Sequence, residues 1–343
     1  MIRVASALVM AVLLAVLTAC QPAPGAPAPV AGHSTDSTGG TGGTVSSADP
    51  ASAATLASLR RIDDHPLWTM TFQGGYDRYT GMTAPQPAFG CSLFTAHGDP
   101  ANPLFGRNFD YPQQPVLLLF TAPPDGYASV SLVDTSNLGL TREVDFATEA
   151  GRRALLNAPL LPYDGMNAKG LTIGMATTPS AEPTRHAGRG QAGGIRIMRL
   201  ALDEAATVDE ALAVFDRHNL DFTAGPPLHY LVADAHGQAA VIEFVDGTMV
   251  VHRQQGPWQA LVNFELTGTD EATRQADPRY ATASRALTAA GGRLGPGEAM
   301  DLLSQVQQGH TQWSVVYGQK TGEIRIATGR RYDTVHTFQL SMA

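Results

Sequence analysis

Short apolar blocks bounded by Gly, Pro, Asp or Asn recur along most of the chain, and this pattern predicts a protein rich in β-strands. The Asp246-Gly247 pair stands between two such blocks. A two-residue type I′ turn needs positive φ at both positions, so this pair predicts an antiparallel hairpin. The predicted strands are 67–72, 116–121, 128–134, 171–176, 228–234, 239–245, 248–252, 259–264, 313–317 and 323–327.

Helical periodicity is confined to a few stretches. Thr207 followed by Glu210 forms a capping box, and apolar residues then recur at i, i+3, i+4 and i+7. Further helices are predicted over 195–205, 279–290 and 298–307, and a short helix carries Leu56, Leu59 and Ile62 before Pro66 ends it. Antiparallel strands with helices grouped in separate pairs predict a layered α+β domain rather than a βαβ arrangement.

The N-terminus has the pattern of an export signal. Arg3 precedes an apolar run that is shorter than the ~20 residues of a membrane-spanning helix. Leu17-Thr18-Ala19-Cys20 resembles the bacterial lipoprotein box, in which the signal is cut before a cysteine that becomes acylated; an ordinary signal with an incidental cysteine is the alternative. We therefore expect a signal peptide over 1–20, lipidation at Cys20, and an exported protein anchored by lipid to a bacterial cell envelope.

Composition divides the remainder of the chain. Residues 21–50 are rich in Pro, Ala, Gly, Ser and Thr and predict a disordered tether. Residues 51–90 are predicted to be a structured pro-segment, and 91–343 a catalytic domain. The 43% apolar content is that of a folded domain, whereas a net charge of −8 with few lysines argues against nucleic acid as a partner.

The sequence does not favour cofactor or metal chemistry. Two cysteines and ten scattered histidines offer no metal-ligand spacing, so we expect neither a metal nor a cofactor. Gly188 to Gly193 satisfies G-x-G-x-x-G, but no strand is predicted before it, and a flexible loop is the favoured interpretation. The G-x-S-x-G motif of lipase-type serine hydrolases is absent from the sequence.

Cys91 is the best candidate for a nucleophile. A thiol becomes reactive when a cation lowers its pKa or a base takes its proton, and Arg107 is a candidate for the first role. Two groups are candidates for the base that takes the proton from the Cys91 thiol. His97 would form a papain-like pair, whereas scission of the Gly90–Cys91 bond would let the freed α-amine of Cys91 act as the base. A buried structural cysteine is the third interpretation.

Several segments, taken in order, resemble the N-terminal-nucleophile (Ntn) cysteine hydrolases of the choloylglycine hydrolase type, which include penicillin V acylase, acid ceramidase and isopenicillin N acyltransferase. The resemblance begins at Cys91, with Arg107 and Asp110 at the spacing of bile-salt hydrolases. It continues through the segments Asp164-Gly165-Met166-Asn167-Ala168-Lys169-Gly170-Leu171, Arg199 to Phe215, Leu261-Val262-Asn263-Phe264, Asp277-Pro278-Arg279-Tyr280 and Trp313-Ser314-Val315-Val316-Tyr317.

The resemblance implies an αββα sandwich of antiparallel sheets and hydrolysis of a linear amide through a thioester on Cys91. Asp110 would hold the freed amine, Arg107 would stabilise the thiolate and Asn263 would donate to the oxyanion. Arg279 would support the same cluster. Taken singly, these residues also fit ordinary structural roles: a surface ion pair between Arg107 and Asp110, a turn residue at 263 and a solvated charge at 279.

The chain also departs from bile-salt hydrolases. Thr177 stands at or near the position where they carry an asparagine, which makes it a candidate oxyanion or substrate contact and leaves the second oxyanion donor unassigned. The long segment before Cys91 is closer to the arrangement in ceramidase and isopenicillin N acyltransferase, whose two chains stay together after the cut. The Leu56, Leu59 and Ile62 stripe with Trp68 would hold them here.

The implied partners are a small-molecule amide and, through the lipid, a membrane; relatives are often multimers, so a homo-oligomer is also implied. An acyltransferase that uses the same thioester, or a binding lipoprotein with the same fold and no turnover, are the alternative functions. The sequence does not distinguish among fatty amides, acyl-homoserine lactones, β-lactam side chains, peptides and conjugated bile acids as substrates.

Overall fold

The computed structural model describes residues 49–80, 90–183 and 185–343. The predicted signal peptide, the lipidation site at Cys20 and nearly all of the predicted tether lie outside these ranges. Among the described residues, none of the helices has the length and apolar character needed to cross a bilayer.

Within these ranges the chain forms seventeen strands. They are β1 Arg60–Arg61, β2 Leu67–Thr71, β3 Gly90–Ala96, β4 Leu104–Asp110, β5 Val116–Thr121, β6 Ser129–Asp134, β7 Asp164–Asn167, β8 Thr172–Thr177, β9 Gly190–Gly193, β10 His218–Asp221, β11 Leu228–Ala233, β12 Ala239–Val245, β13 Thr248–Arg253, β14 Trp258–Leu261, β15 Thr311–Gly318, β16 Glu323–Thr328 and β17 His336–Gln339.

Seven α-helices accompany the strands in the described part of the chain. They are α1 Pro50–Ala57, α2 Glu149–Leu155, α3 Arg196–Glu204, α4 Val208–Asp216, α5 Glu271–Ala276, α6 Pro278–Ala289 and α7 Pro296–Gln305.

The strands form two large sheets and a short two-stranded one. The nine-stranded sheet has the order β1-β2-β5-β6-β7-β8-β11-β12-β13, and the six-stranded sheet has the order β14-β3-β4-β15-β16-β17. Neighbouring strands of the two large sheets are antiparallel except for the parallel pair β2–β5. The small sheet pairs β9 with β10 in parallel.

The two large sheets face each other, and a helix layer covers each outer face. α3 and α4 pack on the nine-stranded sheet, and α6 and α7 pack on the six-stranded one. The facing sheets approach closely at Gly174 of β8, where an added Cβ would lie 2.7 Å from Cδ2 of Leu93 on β3. The αββα sandwich implied by the resemblance is thus confirmed.

The N-terminal segment is built into this sandwich. β2 adds to the nine-stranded sheet beside β5, and Trp68 stacks on Phe146 with ring centroids 4.8 Å apart. Asp63 accepts hydrogen bonds from Thr328 Oγ1 at 3.1 Å and His336 Nε2 at 2.8 Å, which ties the segment to the six-stranded sheet as well. Residues 49–80 therefore contact both sheets.

Most predicted elements are present, including the Asp246-Gly247 hairpin, whose φ values are 49° and 74°. The predicted helix through Leu59 and Ile62 is wrong beyond Ala57: Ser58 caps α1 and β1 follows directly. The predicted strand 259–264 ends at Leu261.

Several elements of the fold were not predicted from the sequence. They are the helices α2 and α5 and the strands β1, β3, β4, β7, β10 and β17. The loop expected over 188–193 contains β9, because Asn219, on the neighbouring β10, binds the backbone N–H and carbonyl of His186 at 2.7 and 2.8 Å and holds the segment against that strand.

Candidate active site

Cys91 lies in the middle of the sandwich, on a strand at the interface between the two sheets. β3 and β4 pair antiparallel, which sets Cys91 opposite Phe109 and Gly90 opposite Asp110. Every residue of both strands is buried except the half-buried Gly90, and Cys91 is fully buried. The uncut chain therefore holds its candidate nucleophile in a closed, water-poor position.

Arg107 provides the contact to the sulfur. Its Nη2 donates to Cys91 Sγ at 3.2 Å and to the Met175 carbonyl at 3.0 Å. Its Nη1 donates to the Tyr163 carbonyl at 2.8 Å and pairs with the carboxylate of Asp164. The alternative of a surface ion pair between Arg107 and Asp110 is thus wrong, because Arg107 is completely buried and its carboxylate partner is Asp164.

The expectation that Arg107 leaves the thiol with a low pKa does not hold in the uncut chain. Burial raises the pKa of the Cys91 thiol to about 11, against the opposing charge of Arg107. The negative charge of Asp110 adds to the increase, since it disfavours a second anion nearby. Reactivity therefore depends on a change at the site, such as a new base beside the sulfur.

Asp110 lies beside the Gly90–Cys91 peptide bond. A Cβ added to Gly90 would stand 3.3 Å from Asp110 Oδ2, so that carboxylate oxygen lies next to the residue before the candidate cut. Gln308 Nε2 donates to Oδ2 at 2.6 Å and Thr311 Oγ1 donates to Oδ1 at 2.5 Å. These two bonds fix the carboxylate in a position where a freed amine on Cys91 would be close.

Asn263 and Arg279 hold the two backbone groups of Cys91. Asn263 Oδ1 accepts the Cys91 N–H at 3.0 Å, and Arg279 Nη1 donates to the Cys91 carbonyl at 2.8 Å. The same Nη1 donates to Asn263 Oδ1 at 2.8 Å, which assigns the oxygen of the carboxamide to this side. Asp277, the N-cap of α6, binds Arg279 Nη2 at 2.9 Å and so directs the guanidinium towards the site.

The carboxamide nitrogen of Asn263 is directed at Thr177. Nδ2 donates to the Thr177 carbonyl at 2.8 Å and to Thr177 Oγ1 at 3.0 Å. The expected oxyanion donor thus has its hydrogens engaged in the uncut chain. Thr177 was expected as a candidate oxyanion or substrate contact, and in this state its two oxygens serve as acceptors for Asn263.

The papain-like alternative is wrong. β3 is extended from Gly90 to Ala96, so the rise of about 3.3 Å per residue places His97 roughly 20 Å along the strand from Cys91. The His97 imidazole bonds Gln319 Oε1 at 2.9 Å at the far end of the strand. The interpretation of Arg279 as a solvated charge is also wrong, because its side chain is only 16% exposed.

Three residues of the site were not identified from the sequence. Asp164 pairs with Arg107 and also accepts from Trp313 Nε1 at 3.0 Å and Tyr317 OH at 2.5 Å. Two segments quoted for the resemblance carry these side chains, so the motifs held that signal. Gln308, which precedes β15, and Thr311, its first residue, bind Asp110, and no motif marks them.

Known proteins resemble this chain in sequence and in fold. Residues 91–263 match the family described as linear amide C-N hydrolases, choloylglycine hydrolase family. A penicillin V acylase from Pectobacterium atrosepticum is 26% identical over 192 residues, which are 50% of this chain and 49% of that protein. The match thus spans about half the length of this curated relative.

Solved structures share the fold. A penicillin V acylase from Agrobacterium tumefaciens has a TM-score of 0.52 at 20% identity, with 73% of this chain and 86% of that chain covered. A conjugated bile acid hydrolase from Clostridium perfringens has a TM-score of 0.53 at 14% identity, with 73% and 92% covered. The matched segment runs from Cys91 to Asn263, the residues that the fold brings together, and the chain belongs to the choloylglycine hydrolase family of linear amide C-N hydrolases.

Proposed function

We propose that the protein hydrolyses a linear, non-peptide amide through a thioester on Cys91, after scission of the Gly90–Cys91 bond has made this residue N-terminal. The observation that carries the proposal is the convergence on one residue: Arg107 contacts its sulfur at 3.2 Å, Asn263 its nitrogen at 3.0 Å and Arg279 its carbonyl at 2.8 Å. A buried structural cysteine needs partners for its backbone groups but not a guanidinium at its sulfur.

Maturation is the first step of the proposal. The Cys91 sulfur attacks the Gly90 carbonyl carbon, the C–N bond breaks, and the Cys91 nitrogen takes up the thiol proton as a free amine. Water then hydrolyses the thioester and releases the Gly90 carboxylate. Gly90 suits the attack because it presents no side chain to the sulfur.

Turnover repeats this chemistry on a substrate. The free amine of Cys91 accepts the thiol proton, and the sulfur attacks the amide carbonyl. The tetrahedral oxyanion collapses to a thioester when the amine returns the proton to the leaving nitrogen. Water, activated by the same amine, then releases the acid and restores the thiol.

The surrounding residues divide the remaining roles. Asp110 holds the new ammonium or amine by a charge-assisted hydrogen bond, while Asn263 Oδ1 keeps the contact that it already makes with this nitrogen. Asn263 Nδ2 becomes an oxyanion donor when the substrate oxygen replaces Thr177 Oγ1 as its acceptor. One such donor contributes about 3–4 kcal/mol to the transition state.

Intact mass after expression tests the scheme. Wild-type protein should yield a chain beginning at Cys91, and Cys91→Ala should stay whole. Ser92→Ala is the matched control, because it alters the next residue on the same buried strand, whose hydroxyl makes no hydrogen bond there. An uncut wild type with full amidase activity, or a cut Cys91→Ala, contradicts the scheme.

The substrate class follows by proposal from the relatives, whose names state penicillin V and conjugated bile acids. Phenoxymethylpenicillin and a glycine-conjugated bile acid therefore form the first panel, and an N-acyl homoserine lactone is added as one of the substrate classes that the sequence leaves open. Adding an amine in competition with water identifies an acyltransferase, since that activity gives the new amide as its main product. Binding without turnover in the cut protein identifies the ligand-binding alternative.

We also propose that the protein is exported and held at the cell envelope by acyl chains on Cys20. The support is the sequence pattern alone. Detergent phase partitioning of wild type against Cys20→Ala tests it: the variant should move from the detergent phase to the aqueous phase. Equal partitioning of the two proteins would remove the anchor from the proposal.

A further inference from the structure

A buried polar cluster contacts the backbone of the segment that carries Asn263. His229 on β11 and Glu243 on β12 are almost completely buried, at 0% and 2% exposure, in the nine-stranded sheet. The segment 262–267, which carries Asn263, follows β14 of the opposite sheet. The cluster thus joins one sheet to the segment that leaves the other.

Glu243 receives a set of donors from that segment. Its Oε1 accepts the Leu266 N–H at 2.6 Å, and its Oε2 accepts the Thr267 N–H at 2.9 Å and Thr267 Oγ1 at 2.7 Å. His252 on β13 adds a contact from Nε2 at 3.0 Å. Burial alone would raise the pKa of Glu243, but the hydrogen bonds from His229, His252 and Thr267 hold this pKa well below its ordinary value.

His229 connects Glu243 to the peptide bond of Asn263 itself. Its Nε2 lies 2.8 Å from the Val262 carbonyl oxygen, and its Nδ1 lies 3.3 Å from Glu243 Oε1. A carbonyl oxygen and a carboxylate both accept hydrogen bonds, so each ring nitrogen faces an acceptor and the imidazole bridges Glu243 and the Val262 carbonyl. His229 therefore fixes the carbonyl of the Val262–Asn263 peptide bond.

The position of Asn263 must be held accurately, because its carboxamide contacts three groups at once. Its carboxamide contacts the Cys91 nitrogen, Arg279 and Thr177 at 2.8 to 3.0 Å. A catalytic group that moves by about 1 Å loses up to ~10²-fold in rate. The 262–267 segment follows the last residue of β14, so side-chain contacts must supply the rigidity that a ladder would give.

We propose that His229 and Glu243 are positioning residues that hold Asn263 against Cys91 through the Val262 carbonyl. The inference rests on the proposed function, because it assigns a purpose to the placement of Asn263 only if Cys91 is the nucleophile. Neither residue touches the sulfur, and both act through the backbone of the Asn263 segment.

Steady-state kinetics on the cut protein provide the test, after unfolded chains have been removed by size exclusion and with rates divided by the Cys91 thiols titrated with iodoacetamide. His229→Asn places an amide near the position of Nδ1, beside Glu243, but is too short to reach the Val262 carbonyl, so it removes the bond through which His229 is proposed to act. Glu243→Gln presents an NH₂ group to backbone N–H donors. His218→Gln is the matched control, since His218 Nδ1 also bonds a carbonyl, that of Val214, outside the site.

We expect each of the two variants to lose at least tenfold in kcat per titrated thiol with KM within about twofold of wild type. The double variant should lose no more than about threefold beyond the worse single variant, because the two residues act as one unit. His218→Gln should keep kcat within twofold. A purely structural role would lower the folded fraction and leave kcat per titrated thiol unchanged, and that result would overturn the proposal.

Thr267→Val covers the case in which the core variants do not fold. It removes one donor to Glu243 from a partly exposed position and leaves the imidazole in place. A loss of about threefold in kcat supports the proposal, whereas an unchanged kcat overturns it. Failure of the proposed function looks different: wild type itself would be inactive, or Cys91→Ala would keep its turnover.

Discussion

Removing Arg107 should lower both the free energy of unfolding and the activity. A second substitution, at Asp164, should restore the stability without restoring the activity. Arg107→Met replaces the guanidinium with an apolar side chain of similar length. The change leaves the Asp164 carboxylate fully buried, with Trp313 Nε1 and Tyr317 OH as its remaining donors. Desolvation of this unpaired charge is the dominant effect.

The structure sets the size of the loss. Breaking a buried ion pair from one side costs about 3–5 kcal/mol, because the remaining charge is left uncompensated. Arg107→Met/Asp164→Asn removes the charge. The asparagine oxygen can accept from Trp313 Nε1, and its NH₂ group then faces the Tyr317 hydroxyl, which can also accept a hydrogen bond. We expect the double variant to recover at least half of the lost free energy of unfolding.

Activity should not recover with stability. In both variants the group that faces Cys91 Sγ at 3.2 Å is gone, so the thiolate loses its cationic neighbour. Loss of one charge-stabilising donor in a closed site lowers kcat by about 10²–10³. The double variant should therefore be folded and nearly inactive.

Urea unfolding in a Cys91→Ala background measures the stability term, since every sample then stays uncut. The slope m should be the same in all variants, so that midpoints report the free energy of unfolding directly. Activity is measured separately with Cys91 present. A single Arg107→Met variant within 1 kcal/mol of its parent would refute the argument from buried charge, and a double variant with wild-type kcat would refute the role of Arg107 at the sulfur.

Three further predictions follow from the same structure. Gly90→Ala would place a Cβ 2.6 Å from Gln308 Nε2, so it should slow scission on a gel time course, and scission at the wild-type rate would contradict this steric argument. The uncut chain that accumulates should resist alkylation at pH 8, because Cys91 is fully buried and burial raises the pKa of its thiol to about 11. Burial also raises the pKa of Asp134 from 3.8 to about 6, so the stability that its neutral form contributes is present below pH 4 and is lost as the pH rises to about 6. Asp134→Asn should therefore raise the free energy of unfolding by about 3 kcal/mol at pH 7 and leave it unchanged at pH 3.5. Equal effects at both pH values would exclude burial of this carboxylate as the cause. Trp68→Ala should weaken binding of the cut N-terminal chain to the catalytic chain by about 2 kcal/mol, or roughly 30-fold in dissociation constant. Loss of co-elution of the two chains on dilution measures this, and unchanged co-elution would show that the stack of Trp68 on Phe146 is dispensable.

Local sequence signals predicted the elements that are self-contained. The Asp246-Gly247 turn and the Thr207 capping box each have their determinants within a few residues, and both are present. The central strands β3 and β4 were not predicted, because both of their faces are buried. Their sequences mix apolar residues with Cys91, Arg107 and Asp110 and do not alternate between apolar and polar positions.

The sequence predicted which residues form the candidate site better than it predicted the contacts among them. The five expected residues, Cys91, Arg107, Asp110, Asn263 and Arg279, come together. Their individual partners depend on tertiary contacts between residues as much as 200 positions apart, such as the bond from Thr311 to Asp110, and no local pattern encodes those. The balance between burial and charge at the thiol is likewise a property of the packed state.

The placement of the N-terminal segment bears on what scission would change. β2 is hydrogen-bonded along β5, and Asp63 binds the strands that end the chain, so the grip lies in residues 49–80, well before the Gly90–Cys91 bond in sequence. In the proposed scheme, scission at that bond leaves these contacts unbroken. The sheet would therefore keep β2 in place while the freed Cys91 nitrogen serves as the base. A lipid on Cys20 would then stay joined to the catalytic chain through a strand ladder, and weakening that ladder should release active enzyme from the membrane without lowering its kcat.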